Sequence, residues 1–109
     1  MTKAPPIDET FAALGDPTRA AILGRLSRGP ASVTELAEPF AMSLRGVLKH
    51  VQVLEDAGVV RTVKNGRVRR CEIVRAPIDD AAEWIEQLRR RWERRLDRIE
   101  SYAKTQQLR

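Results

Sequence analysis

Eight basic residues crowd into one stretch of the chain: Arg45, Lys49, Arg61, Lys64, Arg67, Arg69, Arg70 and Arg75, all between Ser43 and Arg75. Three acids, Glu55, Asp56 and Glu72, share that stretch, so its surplus equals the formal net charge of the whole protein, +5 over 109 residues. Guanidinium and ammonium groups concentrated in this way are suited to a polyanion, because each neutralised phosphate releases a condensed counterion. Their spacing divides them into two groups. Arg45 and Lys49 are four residues apart and lie one helical turn from each other, whereas Lys64, Arg67 and Arg69 surround Asn65-Gly66, a strong short-range hairpin signal.

Other chemistries lack their residues. Cys71 is the only cysteine and His50 the only histidine, which excludes an intrachain disulfide and a four-ligand Cys/His zinc site. No glycine-rich phosphate loop and no acid-base constellation stands out, so no enzymatic activity, cofactor or metal is expected. No run of about 18 apolar residues is present to cross a membrane. Met1 to Pro6 lack the apolar stretch of a secretory signal, and the expected location is the cytoplasm.

The elements that must position the basic residues can be read from period and punctuation. Ile7, Phe11 and Leu14 mark one face of a first helix that Gly15 ends. Asp16-Pro17 opens a second helix, with Ile22, Leu23 and Leu26 inward and Gly29-Pro30 at its end. Ser32 and Glu35 form a capping box for a third short helix carrying Val33, Leu36 and Ala37, which Pro39 breaks. Ser43 caps a fourth helix running to about Ala57, where Val47, Val51 and Leu54 face the core and Gly58 closes the end. On a wheel of about 100° per residue its opposite face carries Arg45, Lys49 and Gln52, with Leu48 at the edge. Arg45 and Lys49 are suited to guanine, Gln52 to adenine or phosphate, and Leu48 to a thymine methyl. Gly46 costs the first turn about 1 kcal/mol of helix propensity relative to Ala. His50 falls beside the inward face and is expected to be packed and hydrogen-bonded.

Two strand-like runs follow, Val59 to Lys64 and Arg67 to Val74, with Lys64 and Arg67 expected at the hairpin tip. Val60, Cys71 and Ile73 share one face, and Cys71 reads as a small buried residue. A long helix from Ile78 to about Ala103 completes the chain, with Ile85, Leu88, Trp92, Leu96, Ile99 and Ala103 as its stripe and Trp84 and Tyr102 alongside. Its six arginines meet seven acids, a balance that reads as a surface laced with salt bridges. The expected organisation is a disordered lead-in over 1–6, one domain over 7–103 and a tail over 104–109. The class is mainly α with a small β-hairpin: four helices, a two-stranded wing and a long C-terminal helix, the order of a winged helix-turn-helix.

From Phe11 to about Tyr102 the chain resembles the ArsR family of bacterial winged-helix repressors. Phe11-Ala-Ala-Leu-Gly-Asp-Pro-Thr-Arg19 with Ala21-Ile-Leu matches the family's opening helices, and Thr34-Glu-Leu-Ala37 its third helix. Met42-Ser43 through Val60 matches the recognition helix and its exit, and Asn65-Gly66-Arg67 the wing. The resemblance implies a homodimer on double-stranded DNA, at a palindromic operator, acting as a repressor. It places Leu44, Arg45, Leu48 and Lys49 against DNA, with Ser43 at the head of that helix. It assigns dimerisation to the first and last helices, hence to Ile7, Phe11, Leu14, Leu88, Trp92, Leu96 and Ile99.

The departures are informative. Metal-sensing members often carry Cys-x-Cys in the third helix, where Ala37 and Pro39 stand here, and the last helix has no histidine for the other common site. Cys71 stands where the family usually shows an aromatic. Two alternatives are left open: a ligand- or metal-gated sensor using carboxylates of the last helix, and a protein-interaction adaptor that has lost DNA binding.

Overall fold

A computed structural model describes residues 7–107. The expected lead-in, residues 1–6, and positions 108 and 109 lie outside the described residues. Five helices and three strands follow in the order α1 (Ile7–Leu14), α2 (Pro17–Leu26), β1 (Ala31–Ser32), α3 (Val33–Ala37), α4 (Leu44–Asp56), β2 (Val60–Asn65), β3 (Val68–Ile73) and α5 (Arg75–Gln107).

Side chains at the helix starts hold the entry geometry. Asp16 accepts the Arg19 N–H at 3.0 Å ahead of Pro17, and Ser32 accepts the Glu35 N–H at 3.1 Å. Helix α4 ends in a paired C-terminal lock. The Gly58 N–H bonds Glu55 O at 2.9 Å and the Val59 N–H bonds Leu54 O at 3.1 Å, with Gly58 at φ +77°. Only glycine adopts that left-handed angle without a Cβ penalty. The core then closes around Ile22, Leu26, Leu36, Val47, Val51, Leu54 and Val59, each at most 4% exposed. Val33 and Ala37 pack against it half-buried.

The sheet holds one more strand than expected. Its order is β1-β3-β2, and Ala31 pairs with Cys71 and Ser32 with Arg70, so the wing is three-stranded at its base. A two-residue strand next to Gly29-Pro30 shows no alternation to read; it exists because β3 offers it an edge. The hairpin register also differs. Asn65 pairs with Val68, which leaves Gly66 and Arg67 as the loop, and Gly66 takes φ +68°. Glycine at the first central position with positive φ is the pattern of a II′ turn, in place of an Asn-Gly I′ turn. Arg67 therefore sits at the tip, while Lys64 lies back on the ladder opposite Arg69.

Helix α5 starts three residues before the expected Ile78 and continues through the expected tail to Gln107, 33 residues in all. Pro77 falls in its first turn, where no backbone N–H has an intrahelical partner, so the ring costs no hydrogen bond. On α1 the fully buried residues are Thr10 and Ala13, and the expected face of Ile7, Phe11 and Leu14 is half-buried within the chain itself. Phe11 meets Trp84 of α5 edge to face, ring centroids 5.6 Å apart. Beyond that contact α5 carries Trp92, Leu96 and Ile99 at 53–57% exposure, and Leu88 half-buried. Among the described residues no helix is long and apolar enough to cross a membrane.

Candidate nucleic-acid interface

Helix α4 is split lengthwise. Val47, Val51 and Leu54 are buried, and Leu44, Arg45, Leu48, Lys49 and Gln52 are exposed along the other side. Ser43 occupies the N-cap in extended conformation, and its Oγ accepts the Gly46 N–H at 3.1 Å. A Cβ at Gly46 would meet Met42 Sδ and Ser43 Oγ at 3.5 Å, ordinary contact distance, so space inside the fold does not demand glycine there. Arg45 and Lys49 form no ion pair among the described residues. Gln52 is engaged one turn along, its Nε2 donating to Asp56 Oδ1 at 2.9 Å.

The middle of α4 is fixed by a polar knot that sequence patterning did not single out. Arg19 Nε donates to Ala13 O at 2.7 Å, and Nη2 adds a second donor to Ala12 O at 3.2 Å, beside the Gly15 N–H that this carbonyl already accepts. Its Nη1 points at His50 Nδ1 on α4, 3.4 Å away. Asp16 Oδ2 lies 3.8 Å from the same ring nitrogen. His50 is thus half-buried between α2 and α4, as its place beside the inward face suggested. The Arg19 backbone N–H, above all, holds the Asp16 carboxyl below its usual value of 3.8; the Arg19 guanidinium and His50 act the same way, against partial desolvation. Arg19 was visible only inside the opening motif, and its contacts at separations of 6, 7 and 31 residues have no period to read.

The wing is tied to the other end of α4. The Thr62 hydroxyl donates to the Glu55 carboxylate. Thr62 shares its face of the sheet with Val60, Cys71 and Ile73, and farther out with Lys64 and Arg69. Lys64 and Arg69 therefore project from the face that packs on α4, and Arg67 from the turn. Arg61 and Arg70 occupy the opposite face. Arg61 is held by Glu72 across the strand pair, which removes it from the pool of free cations. Lys64, Arg67, Arg69 and Arg70 have no carboxylate partner among the described residues. Cys71 is fully buried beneath the wing, and burial pushes its thiol above the usual value of 9.0, so it is unreactive there.

These residues form two basic arrays on a rigid frame: an exposed helix face and, beyond its C-terminal end, a hairpin with a cationic tip. Among the described residues no cluster of three or more His, Cys, Asp or Glu side chains is placed to hold a metal ion.

Comparison with known proteins agrees with this geometry. Residues 14–63 match a helix-turn-helix domain family. The HTH-type transcriptional regulator YuzN of Bacillus subtilis is 34% identical over 87 residues, a match covering 72% of this chain and 95% of YuzN. The transcriptional repressor SdpR of the same organism is 27% identical, over 72% of this chain and 88% of SdpR. Among solved structures, the ArsR family transcriptional regulator RHA00566 superposes with a TM-score of 0.75 at 50% identity, covering 80% of this chain and 96% of that one.

Proposed function

Since the chain belongs to the ArsR family of winged helix-turn-helix transcriptional regulators, a family of DNA-binding regulators and not of enzymes, we propose that it represses transcription as a homodimer on a palindromic operator. Helix α4 lies in the major groove. Arg45 and Lys49 read guanine edges, Leu48 and Leu44 make apolar contacts, and Ser43 and Gln52 bound the contact along the helix. Arg67 at the wing tip, with Lys64 and Arg69 behind it, grips phosphates or enters the minor groove. Repression follows from occupying a promoter, a reading supported by the name of the relative SdpR. Its place of action is the cytoplasm, where the DNA is.

The observation that carries this reading is the free state of Arg45 and Lys49. They stand on the exposed face of a helix whose other face is sealed into the core, and no carboxylate among the described residues engages them. The dimer reading rests on the bare stripe of Trp92, Leu96 and Ile99, with Ile7, Phe11, Leu14 and Leu88 at its margin.

Footprinting on the DNA upstream of the protein's own gene, together with sedimentation equilibrium, tests both statements. A protected site with two related half-sites and a two-chain mass are expected. Protection indistinguishable from that on random DNA, or a one-chain mass at micromolar concentration, would refute the corresponding half of the proposal.

A further inference from the structure

The charge balance of α5 conceals a strong polarity. Its second half, Arg89–Gln107, carries seven cations, Arg89, Arg90, Arg91, Arg94, Arg95, Arg98 and Lys104, against three carboxylates. Two of these arginines are spent locally. Arg89 pairs with Glu86 and Glu93 at 3.2 and 3.1 Å, and Arg90 lies 3.7 Å from Glu86 and 4.0 Å from Glu83. Arg91, Arg94, Arg95 and Arg98 have no carboxylate partner among the described residues. At about 100° per residue these four fall within one arc beside the apolar stripe, whereas Glu86, Glu93 and Glu100 fall on its far side. All four are exposed and border a shallow hollow of about 590 Å³ that Asp97 also lines.

We propose that this arginine edge of α5 is a further DNA-contacting surface, which grips backbone phosphates without regard to sequence. DNA is the polyanion that a regulator of this family meets, and the proposal rests on that membership. The four guanidiniums span about 10 Å of helix at 1.5 Å per residue, long enough to meet two successive phosphates of one strand. Arginine suits that role, since its planar fork takes two phosphate oxygens at once.

The test compares two double variants that remove equal charge from the same helix. Arg94→Ala/Arg98→Ala strips the free edge; Arg89→Ala/Arg90→Ala strips the paired residues. Arg95 is kept, because its guanidinium lies 5.6 Å from the Trp92 ring centroid and its loss would disturb that neighbour. Fluorescence anisotropy on a random-sequence duplex across a salt series is the readout, with circular dichroism to show that each variant folds. For Arg94→Ala/Arg98→Ala the log–log salt slope should fall by about two units for each DNA-bound chain, close to one per lost phosphate contact. Arg89→Ala/Arg90→Ala should leave the slope in place, and Arg94→Lys/Arg98→Lys should largely restore it. Equal losses in both Ala variants would mean that net charge alone acts, and no loss in either would mean that the edge meets no phosphate; both overturn the proposal. An unchanged slope with a shifted dimer dissociation constant would assign the edge to a second copy and overturn it as well. The operator-over-random ratio of the wild-type protein reads the α4 proposal separately, so the two can fail independently.

Discussion

Arg19 and His50 meet at 3.4 Å, guanidinium Nη1 to ring Nδ1, and through this contact the end of α1, the start of α2 and the middle of α4 are fixed together. The same guanidinium donates to Ala12 O and Ala13 O. Arg19→Ala should cost about 1–3 kcal/mol, because the part-buried Ala13 carbonyl loses its charged donor. Urea denaturation followed by circular dichroism measures it. A cost within the error of the method would show that water replaces the guanidinium fully.

The two basic arrays should fail differently. Arg45→Ala or Lys49→Ala should cost about 1–3 kcal/mol on the operator and narrow its advantage over random DNA. Arg67→Ala should weaken binding to both DNAs and leave their ratio nearly intact. Anisotropy titrations on the two duplexes separate these outcomes. If Arg67→Ala abolished discrimination while Arg45→Ala and Lys49→Ala preserved it, the roles assigned to α4 and the wing would be reversed.

Assembly should depend on the bare part of α5. Trp92 is 54% exposed and lies beyond the Phe11–Trp84 contact, so Trp92→Ala should leave the fold of one chain intact. The dimer dissociation constant should rise at least roughly tenfold, about 1.4 kcal/mol. Sedimentation velocity over a concentration series gives that constant directly.

Asp16 should make stability depend on acid pH. Its folded carboxyl is held below 3.8, chiefly by the Arg19 backbone N–H. A depressed acid is worth most where both folded and unfolded forms are ionised. Its contribution is therefore complete above the unfolded value and is lost as pH falls through the folded one. Asp16→Asn should destabilise the protein near neutral pH, and the gap to wild type should shrink as pH falls below the usual carboxyl value of 3.8. Thermal melts across that range check the sign; a gap that widened in acid would contradict it.

Zinc, cadmium and arsenite should each change DNA affinity by less than about tenfold, or 1.4 kcal/mol, at stoichiometric amounts. Ala37 and Pro39 offer no thiolate, and α5 has no histidine. Anisotropy with and without each metal is sufficient to test this, and a larger drop would point to a carboxylate-built sensor site.

Most of this architecture was legible because local chemistry and long-range packing agree. Ser43, Asp16 and Ser32 cap the helices their side chains announce. The Val47, Val51 and Leu54 spacing alone oriented Arg45 and Lys49 outward. The hairpin shows how a partial error can leave the faces correct. Moving the loop from Asn65-Gly66 to Gly66-Arg67 shifts each residue's partner by two, so Val60 faces Ile73 and Thr62 faces Cys71. A shift of two preserves the alternation, and Val60 and Cys71 remain buried. What moved was Lys64, which left the tip. Strand β1 had no local signal, since its partner in β3 is about forty residues away, and the Arg19 knot had none because its contacts at 6, 7 and 31 residues follow no period. The charge of α5 was counted correctly but summed over the whole helix, which concealed where its unpaired arginines lie.

The length of α5 also determines how this molecule moves through solvent. Its Cα radius of gyration is 20.0 Å and it measures 74 Å along its longest axis. A compact chain of this length would have a radius near 13 Å, and a compact protein with the observed radius would contain about 330 residues. Friction follows shape as well as mass. A single chain would therefore leave a gel-filtration column ahead of globular standards of its own weight, and an elution volume calibrated on such standards would count one chain as several.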